Sequence, residues 1–108
     1  MSITTQLNAD ATELTITIGG RFDFNLHQQF RDVIEPLNDN VECYIVDLKD
    51  SDYMDSAALG MLLLLLEKAG NEKERVRLIN PNQTIQKILE IANFQILFDI
   101  VTGREAEG

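Results

Sequence analysis

The chain has few residues suited to metal or redox chemistry. Its 108 residues hold one cysteine and one histidine. Cys43 alone allows neither an internal disulfide nor a cysteine metal site, and no two histidines stand at metal-ligand spacing. Basic residues are scarce: nine Lys and Arg against eighteen Asp and Glu give a net charge of −9. Nucleic-acid binding needs a basic face, so that class is set aside. An acidic surface favours instead a basic protein partner and faster encounter with it. The leucine run from Leu62 to Leu66 is far too short to span a bilayer. The stretch Met1-Ser2-Ile3-Thr4-Thr5 lacks the basic region and apolar core of a signal peptide. A phosphate loop and a glycine-rich dinucleotide fingerprint are both missing. Ser56 also lacks the flanking glycines of a nucleophile elbow. These absences predict a cytoplasmic, single-domain protein with no catalytic residues, metal or cofactor of its own and no membrane or nucleic-acid partner.

What is present is enough for one core. Hydrophobic residues make up 44% of the chain, which argues against global disorder. Ile3, Thr5 and Leu7 alternate with polar residues, as do Leu14, Ile16 and Ile18, so both segments read as half-buried strands of a hairpin. Gly19-Gly20 is expected to break the second strand. The loop from Gly20 to Asn25 follows, with Asp23 or Asn25 as a helix cap. Leu26, Phe30, Val33, Ile34 and Leu37 share one face of a helix over about Leu26 to Glu35. Leu37 to Asn40 is a connector. Val41 to Leu48 is nearly all apolar and rich in β-branched residues, which suits a central strand covered on both faces. Arg75 to Ile79 is another strand. A third helix starts after Asn82 or Thr84 with Ile85, Ile88, Leu89 and Ala92 inward, and a short last strand ends near Val101. The domain is assigned to residues 1–101. Residues 102–108 read as a polar, acidic, frayed tail. Helices thus alternate with strands after the hairpin, the pattern of an α/β layered domain. Sites in such sheets gather at the carboxyl ends of strands, where the loops Gly20 to Asn25 and Lys49 to Asp55 can meet.

The chain is organised around Tyr53-Met54-Asp55-Ser56-Ala57-Ala58-Leu59-Gly60, which runs into Met61 and the leucines. Ser56 falls at a loop-to-helix junction. A serine there can cap the first turn, and the positive end of the helix dipole favours a phosphate. At helical spacing Leu59, Leu62, Leu63 and Leu66 form one face, read as core. Ala57, Met61, Leu64 and Lys68 fall opposite, an apolar surface that suits a docking partner. A helix sandwiched between layers, or a weak homodimer contact, is the alternative. His27, beside Gln28 and Gln29 on an amphipathic helix, reads as a surface histidine. Asp23, Asp47, Asp50, Asp52 and Asp55 do not match a calcium loop and read as a solvated rim.

The whole chain resembles the STAS-domain anti-sigma factor antagonists. The resemblance rests on Gly20-Arg21-Phe22-Asp23, on Val46-Asp47-Leu48, on Asn80-Pro81 and chiefly on Tyr53 to Gly60. Phe22 stands where aliphatic residues are common, and Ala58 where glycine is frequent. The resemblance implies a single STAS-like domain: a mixed β-sheet with an N-terminal hairpin and helices mainly on one side. It implies that the unphosphorylated protein binds an anti-sigma factor that is also a serine kinase, and so frees a sigma factor. Phosphorylation of Ser56 abolishes that binding, and a serine phosphatase restores it. ATP and magnesium belong to those enzymes. Asp23 lies near Ser56 and engages the kinase, and Asp55 flanks the acceptor. Ala57, Met61 and Leu64 as docking residues follow from helical geometry. The alternative is a scaffold or ligand-sensing module in which Ser56 is a helix cap.

Overall fold

The alternating segments at the start pair as expected. In the computed structural model, which describes residues 2–35 and 41–102, β1 (Ser2–Leu7) and β2 (Glu13–Phe22) form an antiparallel hairpin with Ile3 opposite Ile18 and Thr5 opposite Ile16. Its turn is closed by the Asn8 side chain, whose Oδ1 accepts from the Thr12 and Glu13 amides at 2.9 and 3.1 Å. The chain continues through α1 (His27–Ile34), β3 (Cys43–Asp47), β4 (Ser51–Met54), α2 (Ser56–Lys68), β5 (Val76–Ile79), α3 (Gln83–Ile91), α4 (Phe94–Leu97) and β6 (Asp99–Val101). The sheet runs β1-β2-β3-β5-β6, with β3, β5 and β6 joined in parallel and β4 paired to the far end of β2. The expected connector from Leu37 to Asn40 and the tail from residue 103 lie outside the described residues.

The helices cover one face. Ile16, Ile18, Val46 and Leu78 all point into it and have no exposed surface. On the opposite face Thr15, Ile45, Arg77 and Asp99 stand side by side in register, and each is half-buried or exposed. The central strand is therefore covered on one face only, which corrects the reading of Val41 to Leu48. Its outward residues Cys43 and Ile45 are apolar, and that hid the alternation. Phe22, the aromatic in place of an aliphatic, packs its ring 5.7 Å from Phe30 at the centre of the helix-covered core.

Gly19-Gly20 does not break β2. The strand runs on to Phe22 with a register shift after Gly20. Gly20 has φ +80°, a conformation that costs glycine little, and this irregularity lets β2 leave its first partners and pair with β4. Ser51 fastens the junction: its buried hydroxyl donates to the Ile18 carbonyl, and the Gly20 amide donates to the Asp50 carbonyl at 2.9 Å. Polar side chains then tie the carboxyl ends of the strands. Asn80 Nδ2 donates to Asp47 Oδ1 at 3.3 Å, and Asn82 Nδ2 donates to the Ser51 carbonyl at 3.1 Å. Asn82 also caps α3, accepting from the Ile85 amide at 2.8 Å. Asp47 is thus a buried, hydrogen-bonded residue and not part of a solvated rim.

The face of α2 needs a larger correction. Ala58, Met61, Leu62, Leu65 and Leu66 are buried, whereas Leu63, read as core, is 42% exposed. Solvent meets Ser56, Gly60, Leu63 and Glu67, which recur at helical spacing on one stripe. Met61 is 2% exposed. The reason is that α2 packs against α1 as well as on the sheet, so an inner arc wider than one sheet-facing stripe is closed off. A run of five leucines has no periodicity from which to find the outer stripe. The polar markers Ser56, Gly60 and Glu67 carried that signal.

Candidate functional site

Two loops meet at the carboxyl ends of β2 and β4, as the topology leads one to expect. The first leaves β2 at Phe22. Asp23 turns it into one 3-10 turn, Phe24–Leu26, by accepting from the Asn25 amide through Oδ1 at 3.0 Å. Its other oxygen takes the Arg21 Nε at 3.5 Å, and the Arg21 guanidinium lies over the Tyr53 ring at 4.2 Å. Asp23 is 9% exposed. The second loop brings Asp55. Its backbone amide donates to the Phe22 carbonyl at 3.3 Å. Its Oδ1 accepts from the Ala58 amide at 2.9 Å and its Oδ2 from the Phe24 amide at 3.3 Å. One carboxylate therefore caps α2 and holds the first loop against it.

Ser56 is consequently not the cap. Asp55 takes that position, with extended backbone, and Ser56 is the first residue of the helix proper. Its side chain is exposed, and among the described residues no hydrogen bond holds its hydroxyl. The reading of Ser56 as a structural cap is overturned on this geometry. Ala58 is fully buried, so the alanine in place of glycine fills core.

Beside Ser56 lies a shallow cavity of about 380 Å³ lined by Phe24, His27, Ala57, Gly60, Met61 and Leu64. All three proposed docking residues of α2 border it, but differently. Ala57 and Leu64 are half-buried on its walls, while buried Met61 is its floor. Helical spacing could not have found Phe24 and His27, which sequence reading did not place in the site. Phe24 is 68% exposed, and its ring stacks on His27 at 5.7 Å between centroids and 13° between planes. The exposed Phe24 beside a loop aspartate was the available signal. No hydrogen bond joins His27 to Ser56. Among the described residues no three His, Cys, Asp or Glu side chains gather as a metal site, and no helix is long and apolar enough to cross a membrane. Cys43 lies away on the open sheet face, and burial pushes its thiol pKa up.

Comparison with known proteins agrees with the fold and gives its family. A STAS-domain family model, described as Mlab, STAS domain, matches residues 5–102. A STAS-domain containing protein of Pseudomonas aeruginosa is 50% identical over 93% of this chain and 99% of its own length. An anti-sigma-B factor antagonist of Staphylococcus aureus is 24% identical over 85% of this chain and 86% of its own. Among solved structures, the anti-sigma factor antagonist SpoIIAA in its unphosphorylated form superposes with a TM-score of 0.75, covering 98% of this chain and 93% of that one at 21% identity. The Bacillus SpoIIAA structure in the phosphorylated form gives 0.72, covering 97% and 96% at 20% identity. At these identities the structural likeness concerns the fold. The family match and the near relative together establish that the chain belongs to the STAS domain family.

Proposed function

We propose that this protein is an anti-sigma factor antagonist whose activity is set by phosphorylation of Ser56. In the unphosphorylated form it binds an anti-sigma factor that is also a serine kinase, and a sigma factor is released. Phosphate on Ser56 ends that binding, and a serine phosphatase renews it. The switch works in the cytoplasm as a binding event, with the chemistry carried by kinase and phosphatase. The observation that carries this reading is the exposed, unbonded hydroxyl of Ser56 at the first turn of α2, beside an apolar cavity. The named functions of the Staphylococcus relative and of SpoIIAA support the same role.

The physics of the mark is local. Phosphoserine adds about 1.5 to 2 negative charges. The helix N-terminus favours them, while the adjacent Asp55 carboxylate opposes them. Because Asp55 already supplies the cap, Ser56 can be modified without dismantling the start of α2. A partner resting on Ala57 and Leu64 would have to desolvate the phosphate or face it with cations, so affinity falls with no refolding. Asp23 and Asp55 hold the two loops in the shape that the kinase meets. With a net charge of −9, encounter with a basic partner slows as salt is raised.

The test is a titration of the purified anti-sigma factor with unmodified and with Ser56-phosphorylated protein. At least a tenfold weaker affinity for the phosphorylated form is expected. Equal affinities would remove the switch.

A further inference from the structure

Gly60 is out of place as a helix residue. It sits in the middle of α2, among alanine, leucine and methionine, which are better helix formers. Nothing in the fold calls for it: a Cβ built there meets no atom within 4 Å, and its φ is not in the left-handed region. A glycine that neither a turn nor a close internal contact requires leaves room for something outside. That room opens onto the cavity walled by Phe24, His27, Ala57 and Leu64 over Met61. Phe24 stands at its lip, 68% exposed yet held in place by stacking on His27 and by the bond from its amide to Asp55.

We infer that this cavity seats a single apolar side chain from a Lys/Arg-rich segment of the partner protein, and that Gly60 keeps the seat open. The lining is apolar except for His27, and the volume is ample for a large aliphatic or aromatic side chain. The charge requirement comes from the surroundings. The two loops and α2 beside the cavity carry Asp23, Asp50, Asp52, Asp55 and Glu67 against Arg21, Lys49 and Lys68, and α1 is balanced, with Asp32 against Arg31. An acidic rim around an apolar seat favours an apolar anchor with cations beside it and repels an acidic segment or a second copy of this acidic chain. The inference deepens the proposed function by naming how the partner is gripped. It rests on that reading only for the partner's identity.

The experiment places the photo-crosslinker p-benzoylphenylalanine at position 24 of the full chain, where an aromatic ring already stands, and irradiates the protein's own cells. The same crosslinker at position 91, an exposed residue of α3, is the control. Adducts are mapped by fragmentation mass spectrometry, with Gly60→Ala and Gly60→Leu combined with the position-24 crosslinker. The expected result is an adduct from position 24 on an apolar residue inside a Lys/Arg-rich segment. It should fall several-fold with Gly60→Ala and at least tenfold with Gly60→Leu, both variants remaining folded by urea titration. Should Gly60→Leu not fold, Gly60→Ala decides alone. No adduct, an adduct indifferent to both substitutions, one equally formed from position 91, or one on an acidic segment or a second copy of this chain overturns the inference. Ser56→Asp separates the two claims. If it leaves the position-24 adduct intact while Gly60→Ala reduces it, the seat stands and the phosphorylation switch falls.

Discussion

Replacing Asp55 by alanine should cost far more stability than replacing Ser56. Two interactions are lost. The bond from the Ala58 amide at 2.9 Å is a helix N-cap, and losing a cap costs about 0.5–2 kcal/mol. The bond from the Phe24 amide at 3.3 Å is long and exposed, so it counts at the low end for a hydrogen bond, about 0.5–1 kcal/mol. Asp55→Ala should therefore destabilise by about 1–3 kcal/mol. With a urea slope of about 1.5 kcal/mol/M, toward the lower end of the range for small domains, the unfolding midpoint should drop by roughly 0.7–2 M. Asp55→Asn keeps one acceptor for the cap but loses the bond from the Phe24 amide, about 0.5–1 kcal/mol, and the charge at the helix start, about 0.3–1 kcal/mol, so it should fall between Ser56→Ala and Asp55→Ala. Ser56→Ala removes an exposed hydroxyl with no partner and should stay within about 0.5 kcal/mol of the parent. The assay is urea unfolding of all four proteins with slopes compared. If Ser56→Ala loses as much as Asp55→Ala, the hydroxyl is a structural cap and the reasoning fails.

Gly60→Ala should stabilise the isolated chain by about 0.5–1 kcal/mol, read as a higher midpoint in the same titration; a lower one would mean that the added methyl is strained. Arg75 donates to three backbone carbonyls, those of Glu42, Val41 and Ala69, at 3.1, 3.0 and 3.2 Å. Arg75→Ala should cost on the order of 2 kcal/mol, and Arg75→Lys should not restore it because a lysine cannot present the fork. Cys43, whose thiol is raised by burial, should be alkylated more slowly in the native protein than in the urea-unfolded one. The thiolate is the nucleophile, so a raised pKa slows the reaction; by linkage the same raised native pKa contributes stability that is full below the unfolded value. It is lost as pH rises through the native one. Equal alkylation rates would place the thiol in free solvent.

Much of this fold could be read where one face is wet and the other dry. The hairpin shows it: Ile16 and Ile18 alternate with threonines, and burial follows that alternation. In α1 Phe30 and Ile34 are inward among polar neighbours. Legibility failed where the apolar pattern lost its period. Five consecutive leucines conceal which arc of α2 faces α1, so Met61 was put outside and Leu63 inside. Outward Cys43 and Ile45 made β3 look covered twice. β4 escaped notice because its inward residues, Ser51 and Met54, bracket exposed Asp52 and Tyr53 without any alternation. The place of Ser56 at the loop-to-helix junction was legible, and the structure sets it at the first turn of α2. That Asp55 is the cap depends on loop geometry, since aspartate and serine are equally good candidates by residue type. Phe24 and His27 joined the site because the 3-10 turn and the start of α1 lie beside α2, which no local spacing encodes.

The most direct test of the central claim is the intact mass of the protein purified from its own cells, with and without phosphatase treatment, with the modified residue mapped by fragmentation. The account predicts a phosphatase-sensitive phosphate on Ser56 and on no other residue. A protein that carries no phosphate under any growth condition, or carries it elsewhere, would contradict it.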